Sequence, residues 1–492
     1  MGKYVLALDQ GTTSSRAIVF DKAGDIVGMA QKEFKQIYTG NGWVEHNPYD
    51  ILSSQTEVMK QAVINAKINV KDVDCIGIAN QRETTIVWEK TTGKPIYNAI
   101  VWQCRRTAEY CEKINGEYGE KICEKTGLKV DAYFSASKIN WILNHVDGAR
   151  ERAEKGELLF GTVDTFLLWN LTKGKSFYTD YTNASRTMLF DINKLEWDDE
   201  LLEIFGVPKV MLPEVKPSGY EFGNIDESYF GVSIPVRSLV GDQQGALFGQ
   251  RCFTAGTCKN TYGTGCFLLM NTGDKRIKSK YGLLTTLGAS TGKPPFVSEG
   301  SVFVGGAAVK WLKEGLHIIN DVKESEDLAK SVPDTDGVYV VPAFVGLGAP
   351  YWDSEARGVI TGITASTTSA HIVRATLEGI AYRVYDVVKA MESDLGTKIE
   401  GLRVDGGASA NGFLTAFQAN LLGVPVIKPK IAETTALGAS YLAGLCGGFY
   451  KSEEEIAENG KTDVTFLPET DEEEIRNKLD GWKKAVLKAT AD

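Results

Sequence analysis

The sequence predicts two α/β domains of similar plan, related by internal duplication. Three features carry this prediction, and each occurs twice in the same order. First, a short apolar strand runs into a polar tip and returns, at Tyr4-Val5-Leu6-Ala7-Leu8 before Asp9-Gln10-Gly11-Thr12-Thr13-Ser14-Ser15, and again around Tyr262-Gly263-Thr264-Gly265. Second, a later strand ends in a polar turn, Asn80-Gln81-Arg82-Glu83-Thr84 in one half and Asp405-Gly406-Gly407-Ala408-Ser409 in the other. Third, Pro235-Val236-Arg237 leads on to Asp242-Gln243-Gln244-Gly245-Ala246-Leu247, as Pro425-Val426-Ile427 leads to Glu433-Thr434-Thr435-Ala436-Leu437-Gly438. A chain of 492 residues is too long for one core. The repeat divides it near residue 250, into domains 1–249 and 250–492.

Taken in order, Arg16-Ala17-Ile18-Val19-Phe20 reads as the strand returning from the first tip, and 25–34 as a third strand after the turn Asp21-Lys22-Ala23-Gly24. Asn47-Pro48 is an N-cap followed by Pro at the first helical position, and Ile51, Leu52, Val58, Met59, Ala62, Val63 and Ala66 keep helical spacing after it. A strand over 73–79 precedes Asn80, and another over 85–88 follows. The stretch 204–234 is punctuated by Gly and Pro and reads as loops and short strands, before the strand 236–240 delivers Asp242. Near the end, Ile475, Leu479, Trp482 and Val486 share one helical face behind an acidic first turn, as in a docked amphipathic helix.

Composition removes several function classes. The net charge of -10, with no basic stretch, argues against nucleic acid as a partner. The 8 cysteines include no CxxC pair and the 4 histidines show no metal spacing, so the thiols read as buried and reduced. The most apolar run, 158–171, is interrupted by Asp164, so no membrane insertion is expected. The chain enters its first strand at once, without room for a signal peptide, and a cytoplasmic protein is expected. Gly174-Lys175-Ser176 ends like a P-loop, but Trp169 stands where the required Gly would be, and no GxGxxG occurs.

The residues that carry chemistry lie at strand ends. A carboxylate such as Asp242, past a strand and before a helix, is where α/β proteins place ligands. The tip Gly11 to Ser15 offers hydroxyls and N–H groups to a phosphate, with Asp9 placed to hold a cation; an ordinary hairpin with a polar tip is the equal alternative. Arg82-Glu83 can grip neighbouring hydroxyls, although by itself the pair reads as a solvated ion pair. Trp102 and Tyr133 are core aromatics unless they share a site.

Two related domains, each with a Gly/Thr hairpin, resemble the actin/hexokinase/Hsp70 type of ATPase fold, which is ribonuclease H-like. The resemblance narrows to the FGGY carbohydrate kinases and extends over nearly the whole chain. It is carried by Tyr133-Phe134-Ser135-Ala136-Ser137-Lys138-Ile139-Asn140-Trp141, by Gly346-Leu347-Gly348-Ala349-Pro350-Tyr351-Trp352-Asp353 with Arg357-Gly358, and by the three strand-end motifs. The form of those motifs is similar to the branch that phosphorylates glycerol to sn-glycerol 3-phosphate with ATP and Mg²⁺, in glycerol uptake and catabolism. The resemblance implies Mg-ATP bound between the two domains and Asp242 as general base. It implies that Arg82, Glu83, Tyr133, Asp242 and Gln243 hydrogen-bond the polyol, with Trp102 and Phe267 on its carbon chain. Thr12, Thr13, Ser14, Arg16 and Thr264 would hold phosphates, Gly306, Lys310, Gly407 and Asn411 would contact the nucleotide, and Asp9 and Asp242 would lie near the metal. Lys310 stands where such kinases usually carry Gln.

A homo-oligomer, dimer or tetramer, is expected. Some relatives bind fructose 1,6-bisphosphate through a Gly-Gly-Thr-Arg loop or carry a phosphorylatable His there. The corresponding segment here is Asp226-Glu227-Ser228-Tyr229-Phe230-Gly231-Val232-Ser233, so both controls are expected to be absent. Two other readings stay open. One is an FGGY kinase for a pentulose, erythritol or dihydroxyacetone, which would want other residues at 82, 83 and 133. The other is a non-catalytic actin-like ATP-binding protein, which has no use for Arg82, Glu83 and Gln243.

Overall fold

The structure, a computed structural model, describes residues 2–40 and 42–490. It falls into two compact units. The first comprises Met1–Arg251, Thr285–Phe296 and Glu433–Asn459, and the second Cys252–Leu284, Val297–Ala432 and Gly460–Asp492. Compactness therefore does not cut the chain once near residue 250, because two later segments return to the first unit.

The first unit is built on a six-stranded sheet in the order Gly219–Asn224, Pro235–Gly241, Val73–Asn80, Tyr4–Gln10, Ser14–Phe20, Ile26–Glu33. Tyr4–Gln10 is antiparallel to Ser14–Phe20 and parallel to Val73–Asn80, which is parallel in turn to Pro235–Gly241. These central strands are covered on both faces, so stretches such as Leu6-Ala7-Leu8 and Ile76-Gly77-Ile78 are buried without a polar residue at every second position. One cover is the helix Pro48–Ala66, which the Asn47 side chain caps by accepting the N–H of Tyr49. Its Ile51, Val58, Met59, Ala62 and Val63 are buried in one cluster with Leu6, Leu8, Ala17, Val19, Ile76 and Ile78. Each large apolar side chain buried there contributes about 1.5–3 kcal/mol.

The opposite face carries small residues. Because side chains alternate along a strand, Gly77 faces away from Ile76 and Ile78. A Cβ on Gly77 would lie 2.4 Å from the carbonyl oxygen of Ala439, in the helix Thr434–Cys446. Ser238 on the neighbouring strand donates its hydroxyl to that same carbonyl at 2.7 Å. This late helix belongs to the first unit and lies against its central strands and the helix Asp242–Gly249.

In the second unit, Cys258–Tyr262 is antiparallel to Cys266–Gly273 and parallel to Leu402–Asp405, which is parallel to Val426–Lys428. From Phe296–Val302 the strand order is Cys266–Gly273, Cys258–Tyr262, Leu402–Asp405, Val426–Lys428. That repeats, strand for strand, the order from Ile26–Glu33 to Pro235–Gly241 in the first unit. The duplicated α/β plan expected from the motifs is present. The last helix, Glu472–Thr490, docks as its pattern implies: Ile475, Trp482, Ala485, Val486 and Ala489 are buried. Trp482 stacks on Tyr382 at 5.0 Å and donates its indole N–H to Asp386 at 3.0 Å. No helix among the described residues is long and apolar enough to cross a membrane.

The apolar run at 158–171 becomes the strand Leu158–Gly161 and the helix Val163–Leu171, with Asp164 buried between Thr162 and Thr179, which donate to it at 2.5 and 2.7 Å. Burial, and next the charge of Asp180, push the Asp164 carboxyl up to about 7. The sign of the stability effect follows from proton binding. Below about pH 4 both folded and unfolded chains hold this proton. Between there and pH 7 the folded chain keeps a proton that the unfolded chain has released, so stability falls as pH rises. An Asp164→Asn variant escapes that penalty. Its stability relative to the parent is expected to rise by up to about 1.4 kcal/mol per pH unit across this window. Denaturant melts of both proteins at pH 5 and pH 8 check this; a constant difference would show that Asp164 is ionised throughout.

Candidate active site

Three parallel strands of the first unit end side by side. In register, Asp9 lies beside Ala79, Gln10 beside Asn80, and Asn80 beside Gly241. The strand ends therefore gather Asp9, the turn 80–84 and Asp242 at one edge of the sheet, where α/β proteins bind ligands.

Arg82 and Glu83 are 2% and 1% exposed, so the solvated ion pair that their neighbours suggest is not what forms. Arg82 Nε lies 3.2 Å from Asp242 Oδ1 and 3.8 Å from Glu83 Oε1, and its Nη1 donates to Gln244 Oε1 at 3.2 Å. Glu83 in turn accepts from Arg186 Nε at 2.6 Å, and Arg186 is fully buried. Asp242 alone in this set is open, with 32% of its side chain exposed. The charges thus alternate from the buried Arg186 to the accessible Asp242. Burying one of these charges unpaired would cost about 3–5 kcal/mol, which makes the set interdependent. Arg82 lies across Gly241, where a Cβ would come within 2.8 Å of its side chain. Glu83 takes φ of +61°, a left-handed conformation held by Ser135 Oγ and Thr85 Oγ1, which both donate to its carbonyl. Gln243 donates its backbone N–H to Asp242 Oδ1 at 2.7 Å.

The aromatic residues join this set. Tyr133 packs edge-on against Trp102 at 5.5 Å, and the Arg186 guanidinium lies 5.6 Å from the centre of the Tyr133 ring. Both aromatics are half-buried. The turn presenting Tyr133 is fastened by Lys138, whose buried ammonium donates to the carbonyls of Ala132, Tyr133 and Phe134 at 2.5, 2.7 and 3.0 Å. Burial lowers the Lys138 pKa to about 8.

The hairpin tip stands next to them. Trp102 donates its indole N–H to Thr12 Oγ1 at 3.0 Å, and Gly11 N–H closes the tip on Ser14 O at 3.0 Å. Thr13 is exposed, while Thr12 and Ser14 are half-buried. Arg16 pairs with Glu433 and donates to Gln31 Oε1 at 3.2 Å. Burial raises the Asp9 carboxyl to about 6, with the Arg16 charge opposing and the Asp242 charge adding to the rise. The Asp242 charge thus adds to what burial does to the Asp9 carboxyl. No group of three or more His, Cys, Asp or Glu side chains among the described residues is placed to hold a metal. Two carboxylates suit Mg²⁺, which completes its shell with water and phosphate oxygens.

In the second unit, Thr264 sits exposed at its hairpin tip and its carbonyl accepts the N–H groups of Gly305 and Ala307. Gly306 opens the helix Gly306–Glu314 so close to the tip that a Cβ would lie 2.8 Å from Gly263 O. Gly407 has open space where a side chain would be. Asn411 caps the helix Gly412–Leu422 by accepting Leu414 N–H, and its amide donates to Ser325 at 3.2 Å. Lys310 is exposed and lies 3.5 Å from Glu314. Phe267 is half-buried on the strand Cys266–Gly273.

Two family profiles match this chain, both of the FGGY family of carbohydrate kinases: the N-terminal domain at residues 4–249 and the C-terminal domain at residues 258–446. The chain belongs to the FGGY family of carbohydrate kinases. It is 60% identical over 491 residues to the glycerol kinase of Caldanaerobacter subterraneus, covering 99% of each chain. It is 59% identical over 489 residues to glycerol kinase 2 of Thermotoga maritima, again covering 99% of each. Among solved structures, it is similar to Plasmodium falciparum glycerol kinase with ADP, with TM-score 0.95, 37% identity and 99% and 98% of the two chains covered. The actin-like α/β fold expected of an FGGY kinase is therefore the fold of this chain.

Three residues of this FGGY kinase's candidate site escape the sequence reading. Arg186 and Lys138 are described above; neither has a neighbour in sequence that reveals its partners. The third is Asp180, buried under the strand ends. Thr182 donates its hydroxyl to Asp180 and accepts the Gly241 N–H at 2.8 Å, while Asn183 and Asn80 exchange amide hydrogen bonds at 2.9 and 3.0 Å. This network holds the backbone on both sides of the Arg82–Asp242 contact. The only signal for it in the sequence is a run of small polar residues, Thr182-Asn183-Ala184-Ser185-Arg186-Thr187.

Proposed function

We propose that this FGGY kinase transfers the γ-phosphoryl group of ATP to glycerol, giving sn-glycerol 3-phosphate and ADP, with Asp242 as the general base. The buried Arg82-Glu83 pair ending beside the accessible Asp242 carries the reading. Glycerol is small and uncharged, so its binding must come from several hydrogen bonds in a site shielded from water. Arg82 supplies donors, Glu83 acceptors, and Tyr133 and Gln243 further polar groups, with Trp102 against the carbon chain. The glycerol kinases at 60% and 59% identity support the same choice.

In the reaction, Asp242 takes the proton of a terminal hydroxyl as its oxygen bonds to the γ-phosphorus. The bond from that phosphorus to the bridging oxygen breaks, and ADP leaves with the electron pair. Phosphoryl transfer asks mainly for positioning and for neutralised charge. Asp9 and Asp242 would hold Mg²⁺, which when bound supplies positive charge to the phosphates. The tip residues Thr12, Thr13 and Ser14 offer hydroxyls and backbone N–H groups to phosphate oxygens, and Arg16 adds a guanidinium. In the second unit, Thr264, Gly306, Lys310, Gly407 and Asn411 are assigned to the nucleotide. The reading extends to a cytoplasmic dimer or tetramer, which sedimentation of the purified protein checks.

A coupled ADP-release assay over a polyol panel tests the substrate. Glycerol is expected to give the highest kcat/KM, and 1,2-propanediol, which lacks one terminal hydroxyl, to lose at least about 100-fold because a buried group is left unpaired. A pentulose or erythritol turned over faster than glycerol would overturn the assignment.

A further inference from the structure

We infer that Arg186 is a positioning and specificity-determining residue, acting on the substrate through Glu83; this rests on the glycerol reading above. Arg186 is fully buried and lies 103 residues further along the chain from its partner. Its Nε holds Glu83 Oε1 at 2.6 Å, while the nearest contact of Arg82 to the same oxygen is 3.8 Å. Arg82 stands closer to Asp242, at 3.2 Å. The shorter of these contacts therefore join Arg186 to Glu83 and Arg82 to Asp242.

That sorting has a chemical purpose. A buried carboxylate facing a polyol must be ionised to accept from a hydroxyl, and burial alone favours its neutral form. Arg186 supplies that counter-charge at 2.6 Å, and Arg82 stands closer to Asp242 than to Glu83. Without Arg186, Arg82 at 3.8 Å is the nearby guanidinium left to Glu83, beside the charge of the buried Lys138, and would be drawn from Asp242. The left-handed backbone at Glu83 fixes its side chain in this arrangement. A guanidinium suits the task, since its planar fork orients a carboxylate where an ammonium acts as a point charge. Arg186 also lies over the rings of Phe134 and Tyr133, at 5.0 and 5.6 Å, so a purely packing role is the competing explanation.

A double-mutant cycle separates the two. Glu83→Gln, Arg186→Met, the double variant and Arg186→Lys are prepared as full-length enzyme, and kcat, KM for glycerol and thermal midpoints are measured. Arg186→Met is expected to raise KM about 100-fold, as removal of one partner of a buried pair does. In the Glu83→Gln background the same change is expected to add less than about threefold, because no charge remains to be matched. Arg186→Lys is expected to cost about tenfold. Effects that multiply in the double variant, or an unchanged KM in Arg186→Met, overturn the inference in favour of packing. If Arg186→Met fails to fold, recovery of a parental midpoint in the double variant supports the pairing, and failure of the double variant as well counts against it. A parent that does not phosphorylate glycerol would sink the underlying reading instead, before any variant is compared.

Discussion

An Asp242→Asn variant loses about three orders of magnitude in kcat, with KM for glycerol changed by less than about tenfold; this is the largest catalytic effect expected of a single substitution here. The amide preserves the size of the side chain, and its oxygen still accepts the Gln243 N–H that Asp242 Oδ1 accepts at 2.7 Å. It also leaves an oxygen toward Arg82, whose Nε lies 3.2 Å away, so the polar surroundings of the polyol are largely kept. What disappears is the capacity to take a proton. Ground-state binding and transition-state stabilisation are thereby separated, which is the pattern of a lowered kcat at nearly constant KM. Steady-state ADP release, paired with calorimetric binding of glycerol, reads both quantities. Turnover near that of the parent would show that another group takes the proton, and a lost affinity with normal turnover would make Asp242 a binding residue only.

The largest effect on stability is expected at a glycine. The helices Asp242–Gly249 and Thr434–Cys446 meet backbone to backbone. A Cβ on Gly249 would lie 2.0 Å from Thr434 O and 2.8 Å from Gly438 N, and one on Gly438 would lie 1.9 Å from Gly245 O. None of these neighbours is a side chain that can turn away. Gly249→Ala gains about 1 kcal/mol of helix propensity at most. It loses about 3 kcal/mol or more to overpacking, because the helices must separate along their contact. The loss wins by about 2 kcal/mol, and the thermal midpoint of the first unit is expected to fall by roughly 4–8 °C on the scale of a unit of this size. Because Asp242 starts the displaced helix, kcat should fall as well. Scanning calorimetry with an activity assay checks both; a midpoint equal to the parent's would mean that the two helices do not approach as closely as described.

The strand ends were legible because their pattern is local. Asp9, Asn80 and Asp242 each follow an apolar run, and the Asn47-Pro48 cap and the Trp482 face are set by residues within one or two turns. What was hidden depends on pairings across the sheet. Arg82-Glu83 reads as a solvated pair from its own neighbours, yet both are buried because Arg186, far along the chain, supplies the counter-charge. Lys138 lies in a recognisable motif, but its role as donor to three carbonyls follows from a turn that only the folded chain forms. Glu433 occupies the place in the second half that Asp242 holds in the first, and there the duplication shows divergence. Glu433 pairs with Arg16, 417 residues away, and thus serves the first unit's hairpin tip. The small face of Gly77 and Ser238 gives no periodic signal, because matching small against small leaves no apolar stripe to read.

The return of Glu433–Asn459 to the first unit has a consequence for synthesis on the ribosome. Domains usually fold in turn as they emerge, amino-terminal first. Here the sheet of the first unit, whose strands lie between Tyr4 and Gly241, lacks the helix that covers Gly77 and Ser238 until Thr434–Cys446 has been made. Until then the amino-terminal half keeps one face of its central strands uncovered. Full cover of the first unit's sheet thus comes only after the second unit's strands from Cys258–Tyr262 to Val426–Lys428 have been made.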